Sequence, residues 1–258
     1  MIFQIKSYLN FFLKSTNEHG VHSPFVFGLV MKCFYDRKHY PEYEVLKQYR
    51  KSLLANNEII EVSDFGSGSK IFKSNRRKIS KIAATAGISE SNTKLLFRVA
   101  NYLKPQQILE IGTSLGLASA ALSLGSRNAK ITTLEGCEQT FEVAKRQLLE
   151  FGLNNIEPVC TKFDDYLVSI EEGISFDLIY FDGNHTKAAT LSYFDKLLPT
   201  IKNETVWIFD DIHWSAEMQD AWKMIKQHPK VNVTIDTFQW GLVFFRMEQE
   251  KEDFTIRI

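Results

Sequence analysis

The chain has 258 residues, room for one large α/β domain with an extension or at most two small domains. Lys+Arg and Asp+Glu both number 31, so the formal charge is zero. No global field draws the protein to nucleic acid or to an acidic membrane, which favours a small-molecule partner. Cys33, Cys137 and Cys160 are scattered, odd in number and without metal-ligand spacing. They exclude a disulfide framework and point to a reducing compartment, with the cytoplasm as the expected location. No apolar run approaches the length of a membrane span, and Lys6 breaks the apolar N-terminus, which makes a poor signal peptide.

Residues 1–90 are expected to form a helical extension. Ile2, Ile5, Leu9, Phe12 and Leu13 recur at helical spacing, and two further periodic stretches follow at 24–35 and 43–54. Gly66-Ser67-Gly68-Ser69 breaks the pattern, and a basic stretch follows over 70–81 that reads as a solvated helix face. A helix is predicted over 91–103, capped by Ser91 and stopped by Pro105. Residues 91–258 then form the main domain. Apolar runs at 108–111, 131–134, 156–160, 176–181 and 206–209 alternate with helical patterns at 115–124, 138–151, 164–170, 186–198 and 215–227. Strands alternating with helices imply a parallel sheet with helices on both faces. Residues 231–238 and 242–246 predict a terminal antiparallel hairpin around Trp240-Gly241.

In such sheets, ligands bind outside the carboxyl ends of the strands. The first run ends in Glu110-Ile111-Gly112-Thr113-Ser114-Leu115-Gly116. Its glycines allow a tight turn and close approach to a ligand. Their spacing is not that of a dinucleotide fingerprint, which disfavours NAD. The second strand ends in Glu135, an acid placed to accept from both hydroxyls of a ribose. Together these predict a nucleoside-type cofactor. Asp64-Phe65-Gly66-Ser67-Gly68-Ser69 has a similar look, but no strong apolar helix or strand-end acid follows it. It reads as a loop that can fold over the active site.

ILEIGTSLGLASAALS resembles the first motif of class I methyltransferases, and TLEGC their second. The resemblance covers about residues 90–247 and implies a Rossmann-like, mostly parallel seven-stranded sheet that binds S-adenosyl-L-methionine. Glu110, Gly112, Thr113, Ser114 and Gly116 would line the methionine part and Glu135 would hold the ribose. Phe163 would sit by the adenine. Lys162 stands where the family often has Asp.

The fourth run leads into Asp182-Gly183-Asn184-His185 and the fifth into Asp210-Asp211-Ile212-His213. Three carboxylates brought together by neighbouring strands repel one another unless a cation joins them, and all-oxygen ligands suit Mg²⁺. Such an ion can lower the pKa of an acceptor hydroxyl, and histidine can take its proton. Each residue also has a plain structural reading. The aspartates can cap the helices that follow, His185 can lie on a helix surface, and His213 can pack on Trp214. The pattern resembles metal-dependent O-methyltransferases. The catechol and caffeoyl-CoA group has Lys where this chain has His185, and Asn where it has Asp211; the macrolide-sugar group has Asp-x-x-His and an acidic pair. The resemblance implies Asp182, Asp210 and Asp211 as metal ligands, His185 as general base, and Asp182 beside the cofactor too.

The expected activity is thus methylation of a small hydroxylated acceptor, with no membrane partner. Apolar N-terminal helices allow a homodimer. Two alternatives stay open: methylation of RNA or protein, motivated by the basic stretch, and a non-catalytic regulator of the same fold. Asn203-Glu204, where the family usually has two glycines, is a mark of drift.

Overall fold

The computed structural model describes residues 2–65 and 72–258. The chain divides into two compact units, one comprising the residues up to Tyr35 with Leu167–Ile258, the other Asp36–Tyr166. The sequence places a boundary near residue 90. In space, the first 35 residues group with the C-terminal part instead.

The first unit begins with α1 (Ile2–Lys14) and α2 (Pro24–Leu29), the latter capped by Ser23. The inner face of α1 sets Tyr8 and Phe11 against Phe238, with ring centroids 5.0 and 5.5 Å apart. Ile5, Leu9 and Leu13 on α1 are exposed. The chain then enters the second unit through α3 (Glu42–Ala55), β1 (Ile59–Glu61), β2 (Arg76–Lys78) and α4 (Ile79–Thr85). β1 and β2 form an antiparallel pair. Of the basic stretch, Arg76–Lys78 form a strand, and Lys81 lies exposed on α4, so a helix face holds only for its end. Its Lys70, like Gly66–Ser69, lies outside the described residues.

α5 (Glu90–Leu103) is capped by Ser89. β3 (Gln107–Ile111), α6 (Leu117–Gly125), β4 (Lys130–Glu135), α7 (Glu138–Glu150) and β5 (Ile156–Cys160) complete an alternating run. β3–β4 and β4–β5 pair in parallel. α8 (Phe163–Val168) follows.

Back in the first unit come β6 (Leu178–Phe181), α9 (Lys187–Leu197), β7 (Val206–Asp210), α10 (Ala216–Gln227), β8 (Val233–Asp236), β9 (Trp240–Phe244) and β10 (Glu252–Thr255). β6 and β7 pair in parallel and every residue of both is buried, as their unbroken apolar and aromatic runs require. β9 runs antiparallel to both β7 and β8, which is the expected hairpin. β10 pairs in parallel with β8 and was not expected. Among the described residues, β3 to β10 are eight strands rather than seven, mostly parallel. Glu252 and Asp253 hide β10 in the sequence. Asp253 is held by Thr234 Oγ1 at 2.5 Å and Lys226 Nζ at 3.4 Å, partners that only the fold supplies. No described helix is long and apolar enough to cross a membrane.

α5 packs on α6 closely enough to need a glycine. A Cβ on Gly125 would lie 2.5 Å from the Phe97 carbonyl oxygen and 2.8 Å from the Ala100 Cβ. On a free helix, Gly→Ala stabilises by about 1 kcal/mol. Here the backbone of α5 blocks the methyl, and the sign reverses. Gly125→Ala is expected to lower stability by about 1–3 kcal/mol, read as a lower midpoint in urea unfolding.

Candidate functional site

Two groups of strand ends carry the predicted residues, one in each unit. In the unit Asp36–Tyr166, β3 leads into a turn whose backbone only glycine takes readily: Gly112 has φ +108°. The N–H groups of Gly112 and Thr113 donate to the Leu134 carbonyl at 3.1 and 3.0 Å, tying the turn to the end of β4. Ser114 lies in the left-handed region at φ +47°. Gly116 caps α6 at φ +77°, and a Cβ there would lie 2.5 Å from the Tyr49 hydroxyl. That hydroxyl donates to the Leu115 carbonyl at 2.9 Å, so Tyr49 on α3 props up the turn from outside the motif.

Glu135 joins the two turns. Its Oε2 accepts from Ser114 N–H and its Oε1 from Cys137 N–H, each at 2.9 Å. Burial raises its pKa, and the Asp64 charge adds to that, while the backbone N–H groups pull it down; the net direction is upward. Backbone N–H groups of Cys137, Ser114 and Gly136 approach the carboxylate, whose two oxygens still have lone-pair capacity for a ligand hydroxyl. With a glycine turn beside it, this donor set fits the ribose of a nucleoside cofactor. Phe163 stands half-buried at the start of α8.

The structure places Glu110 and Thr113 further inside. Thr113 Oγ1 lies 2.6 Å from Thr133 Oγ1, and Thr113 is buried. Glu110 is fully buried, its Oε2 accepting from Ser119 and from Thr133. Its Oε1 is buried without a hydrogen-bond partner. Desolvation pushes its pKa up to about 7 against the pull of those hydroxyls.

In the other unit, the register pairs Phe181 with Phe209, so Asp182 and Asp210 leave neighbouring parallel strands side by side. Asp210 is buried. Desolvation first, then the charges of Asp182 and Asp211, hold its carboxyl well above the usual range, and it shares a hydrogen bond with Asp182. His185 Nε2 stands 3.6 Å from Asp182 Oδ1. A small cavity is lined by His185, Asp210, Phe181, Gly183, Tyr193 and Phe209. The capping alternatives fall away. Thr186 caps α9 and Ser215 caps α10, each accepting a backbone N–H through its side chain. The aspartates are therefore not spent on the helix ends.

Gln239 was not legible in the sequence. Its Nε2 donates to Asp210 Oδ1 at 3.2 Å and to Asp211 Oδ1 at 3.0 Å. Phe238 at φ +73° makes the tight turn that aims it. Asp211 itself lies at φ +56° and Asn184 at φ +52°, positions where short polar side chains tolerate the left-handed region best. His213 has a structural environment of its own. It stacks on Phe238 at 5.1 Å and is held by Asp236 at 2.8 Å and Gln219 at 3.2 Å, a structural role. Trp207, Trp222 and Trp240 are core. The carboxylates suit a hard cation by chemistry. As the side chains stand, among the described residues no group of three or more His, Cys, Asp or Glu is set to hold a metal ion. The Gln239 amide and the Asp182–Asp210 hydrogen bond link the acids.

Glu110 makes a pH prediction. The folded protein keeps a proton there that the unfolded chain gives up near the ordinary value of 4.5. Folding then binds more protons than unfolding, so the stability from this site is lost as pH rises from 4.5 through about 7. Glu110→Gln is expected to flatten the fall in unfolding free energy between pH 5 and pH 8, measured by urea titration.

Comparison with known proteins places these strand ends in context. Residues 109–212 match a family model described as a methyltransferase domain. A 78-residue stretch is 38% identical to the protein-L-isoaspartate O-methyltransferase of Methanococcus vannielii, covering 30% of this chain and 36% of that protein. The chain thus matches about a third of the length of that curated relative. Among solved structures, a Podospora anserina methyltransferase bound to S-adenosylhomocysteine aligns with TM-score 0.63 at 15% identity, over 88% of this chain and 97% of that one. The Streptomyces achromogenes O-methyltransferase TomG, in complex with S-adenosylmethionine, gives 0.56 at 18%, over 81% and 91%. A Bacillus cereus O-methyltransferase with S-adenosylhomocysteine gives 0.54 at 19%, over 82% and 94%. The family model thus covers the stretch from β3 to just past β7, and the chain shares its fold with these solved methyltransferases.

Proposed function

We propose that the protein transfers a methyl group from S-adenosylmethionine to an oxygen of a small hydroxylated molecule. The observation that carries the cofactor half is Glu135, tied to both glycine-containing turns and left with lone pairs for two hydroxyls. The observation that carries the oxygen half is the His185–Asp182 pair, with His185 lining a small cavity. In the transfer, the acceptor oxygen forms a bond to the methyl carbon as the carbon–sulfur bond breaks, and the sulfonium leaves as a neutral thioether. The acceptor's proton passes to His185, and Asp182 steadies the imidazolium that results. The O-methyltransferases among the structural neighbours support an oxygen acceptor.

A divalent cation on Asp182, Asp210 and Asp211 is the finer part of this proposal. Binding there would need the Gln239 amide to move and would favour the ionised form of Asp210. When bound, such an ion orients a hydroxyl and lowers its pKa. A second acceptor class is favoured by the stretch shared with protein-L-isoaspartate O-methyltransferases, namely a protein carboxylate.

Two experiments test the proposal. Calorimetric titration with S-adenosylhomocysteine should show micromolar binding, weakened at least about tenfold in Glu135→Ala by loss of the hydrogen bonds to the ribose. No heat from the wild type would remove the cofactor reading. Methyl transfer should then be measured against catechols, sugar hydroxyls and an isoaspartyl peptide, with Mg²⁺ and with excess EDTA. His185→Ala should lower kcat by about 10²–10⁴ with little change in cofactor affinity. Full activity in EDTA would discard the cation and keep the histidine, whereas turnover of the isoaspartyl peptide alone would move the acceptor to protein.

A further inference from the structure

The β1–β2 pair carries a segment onto the end of β4 that lies outside the family-matched stretch. Glu61 N–H donates to Gln139 Oε1 at 2.6 Å, and Ser63 N–H to the Cys137 sulfur at 3.3 Å. Cys137 Sγ lies 3.6 Å from the Glu61 carbonyl oxygen, and Arg146 pairs with Glu58 at 2.9 Å. These contacts fix residues 58–63 against the turn that follows Glu135. The next two residues are Asp64 and Phe65. The Phe65 ring lies on Gly136, so close that a Cβ there would meet Phe65 Cδ2 at 2.9 Å and Cε2 at 3.2 Å. Lys162 Nζ stands 5.9 Å from the ring centroid. Gly136 and Lys162 follow β4 and β5, which are paired neighbours. Phe65 therefore spans the two strand ends that present Glu135 and Phe163, and it remains 53% exposed. An aromatic ring tethered from both sides yet half open to solvent is built to cover something. Asp64 stands within electrostatic reach of Glu135 and is steered by Arg77 Nη2 at 3.8 Å.

We propose that Asp64 and Phe65 are part of the cofactor site, Phe65 covering the adenine of the bound cofactor from the Gly136 side and Asp64 joining Glu135 at the ribose hydroxyls. The proposal rests on the reading of Glu135 as the ribose acceptor and extends it to a segment some 45 residues upstream of the first glycine turn. The physical logic is ordinary. Aromatic faces stack on bases, and a purine offers a broad π-surface that gains most when water is excluded from both sides. The absence of a side chain at Gly136 leaves room for the ring to settle, so any substitution there would displace Phe65 first. A purely structural Phe65 would behave differently, because its loss would lower stability without touching ligand affinity.

The test is calorimetric titration of the full-length protein with S-adenosylhomocysteine, and separately with 5′-methylthioadenosine, which keeps the adenosine and lacks the amino-acid end. Phe65→Ala is expected to bind both ligands about tenfold more weakly, with an unchanged thermal midpoint in the ligand-free protein. Phe65→Tyr should restore the affinity. Asp64→Asn should weaken both ligands by a smaller factor. Wild-type affinity in Phe65→Ala would overturn the proposal while leaving Glu135 as the ribose acceptor. A loss that Phe65→Tyr does not restore would overturn it too. No binding by the wild type would overturn both the proposal and the reading beneath it.

Discussion

The Glu135 carboxylate ties the turn after β3 to the turn after β4 with one backbone hydrogen bond to each. The arrangement solves a general problem of parallel sheets. Strand ends point polar backbone groups at a common edge, and those groups must be satisfied. A half-buried acid satisfies several of them and is itself kept from the full penalty of desolvation. The conformations around it follow from that demand. Ser114 takes a left-handed φ to present its N–H, Gly112 bends the chain back to Leu134, and Gly116 starts α6 under the Tyr49 hydroxyl. Removing Glu135 would therefore affect both the ligand and the shape of the turns, which is why its variant needs a folding control.

The carboxylates of the other unit answer a similar problem differently. Asp182 and Asp210 leave adjacent strands, and Asp211 follows at once. Three negative charges cannot sit there unrelieved. The protein relieves them with an Asp210 carboxyl shifted upward towards its neutral form, a hydrogen bond to Asp182, the Gln239 amide and the nearby His185. Gln239 reaches its place because the hairpin turn is strained at Phe238 and braced by Asp236, which holds both Phe238 N–H and His213. The scaffold thus invests an uncommon backbone conformation in one neutral donor. That investment makes Gln239 part of the electrostatics of the site and not a bystander.

The fold was legible where periodicity was strong. The apolar runs of β3, β4, β6 and β7 and the helices between them fall within a few residues of their expected places, because buried parallel strands cannot hide their composition. β10 was not legible, since Glu252 and Asp253 break any apolar run and Asp253 is held by Thr234 and Lys226 across the fold rather than by any local pattern. The strand at Arg76–Lys78 was lost for the same reason: basic residues on an exposed pair of strands carry no apolar alternation. At the site, the residues that follow the strands were visible as motifs. Their supports, Tyr49, Gln239 and Phe65, were not, because each arrives from a distant segment and has no spacing relation to the motif it serves. Asp64-Phe65-Gly66 did leave one signal, a second acid-plus-glycine stretch upstream of the first turn.

The choice of histidine at 185 fits the electrostatics around it. A lysine in that place would carry its charge throughout the neutral range and would hold Asp182 as a permanent ion pair. It would offset the acids well but could not readily accept a further proton. An imidazole 3.6 Å from Asp182 Oδ1 differs from a lysine in having a ring nitrogen that can accept a proton. Under the proposed transfer, Asp182 would stabilise the product of proton transfer more than its starting state, which is what a proton acceptor needs. Burial and the neighbouring carboxylates push Asp210 towards its neutral form, which lessens the negative charge gathered at these two strand ends and leaves Asp182 as the carboxylate beside the imidazole.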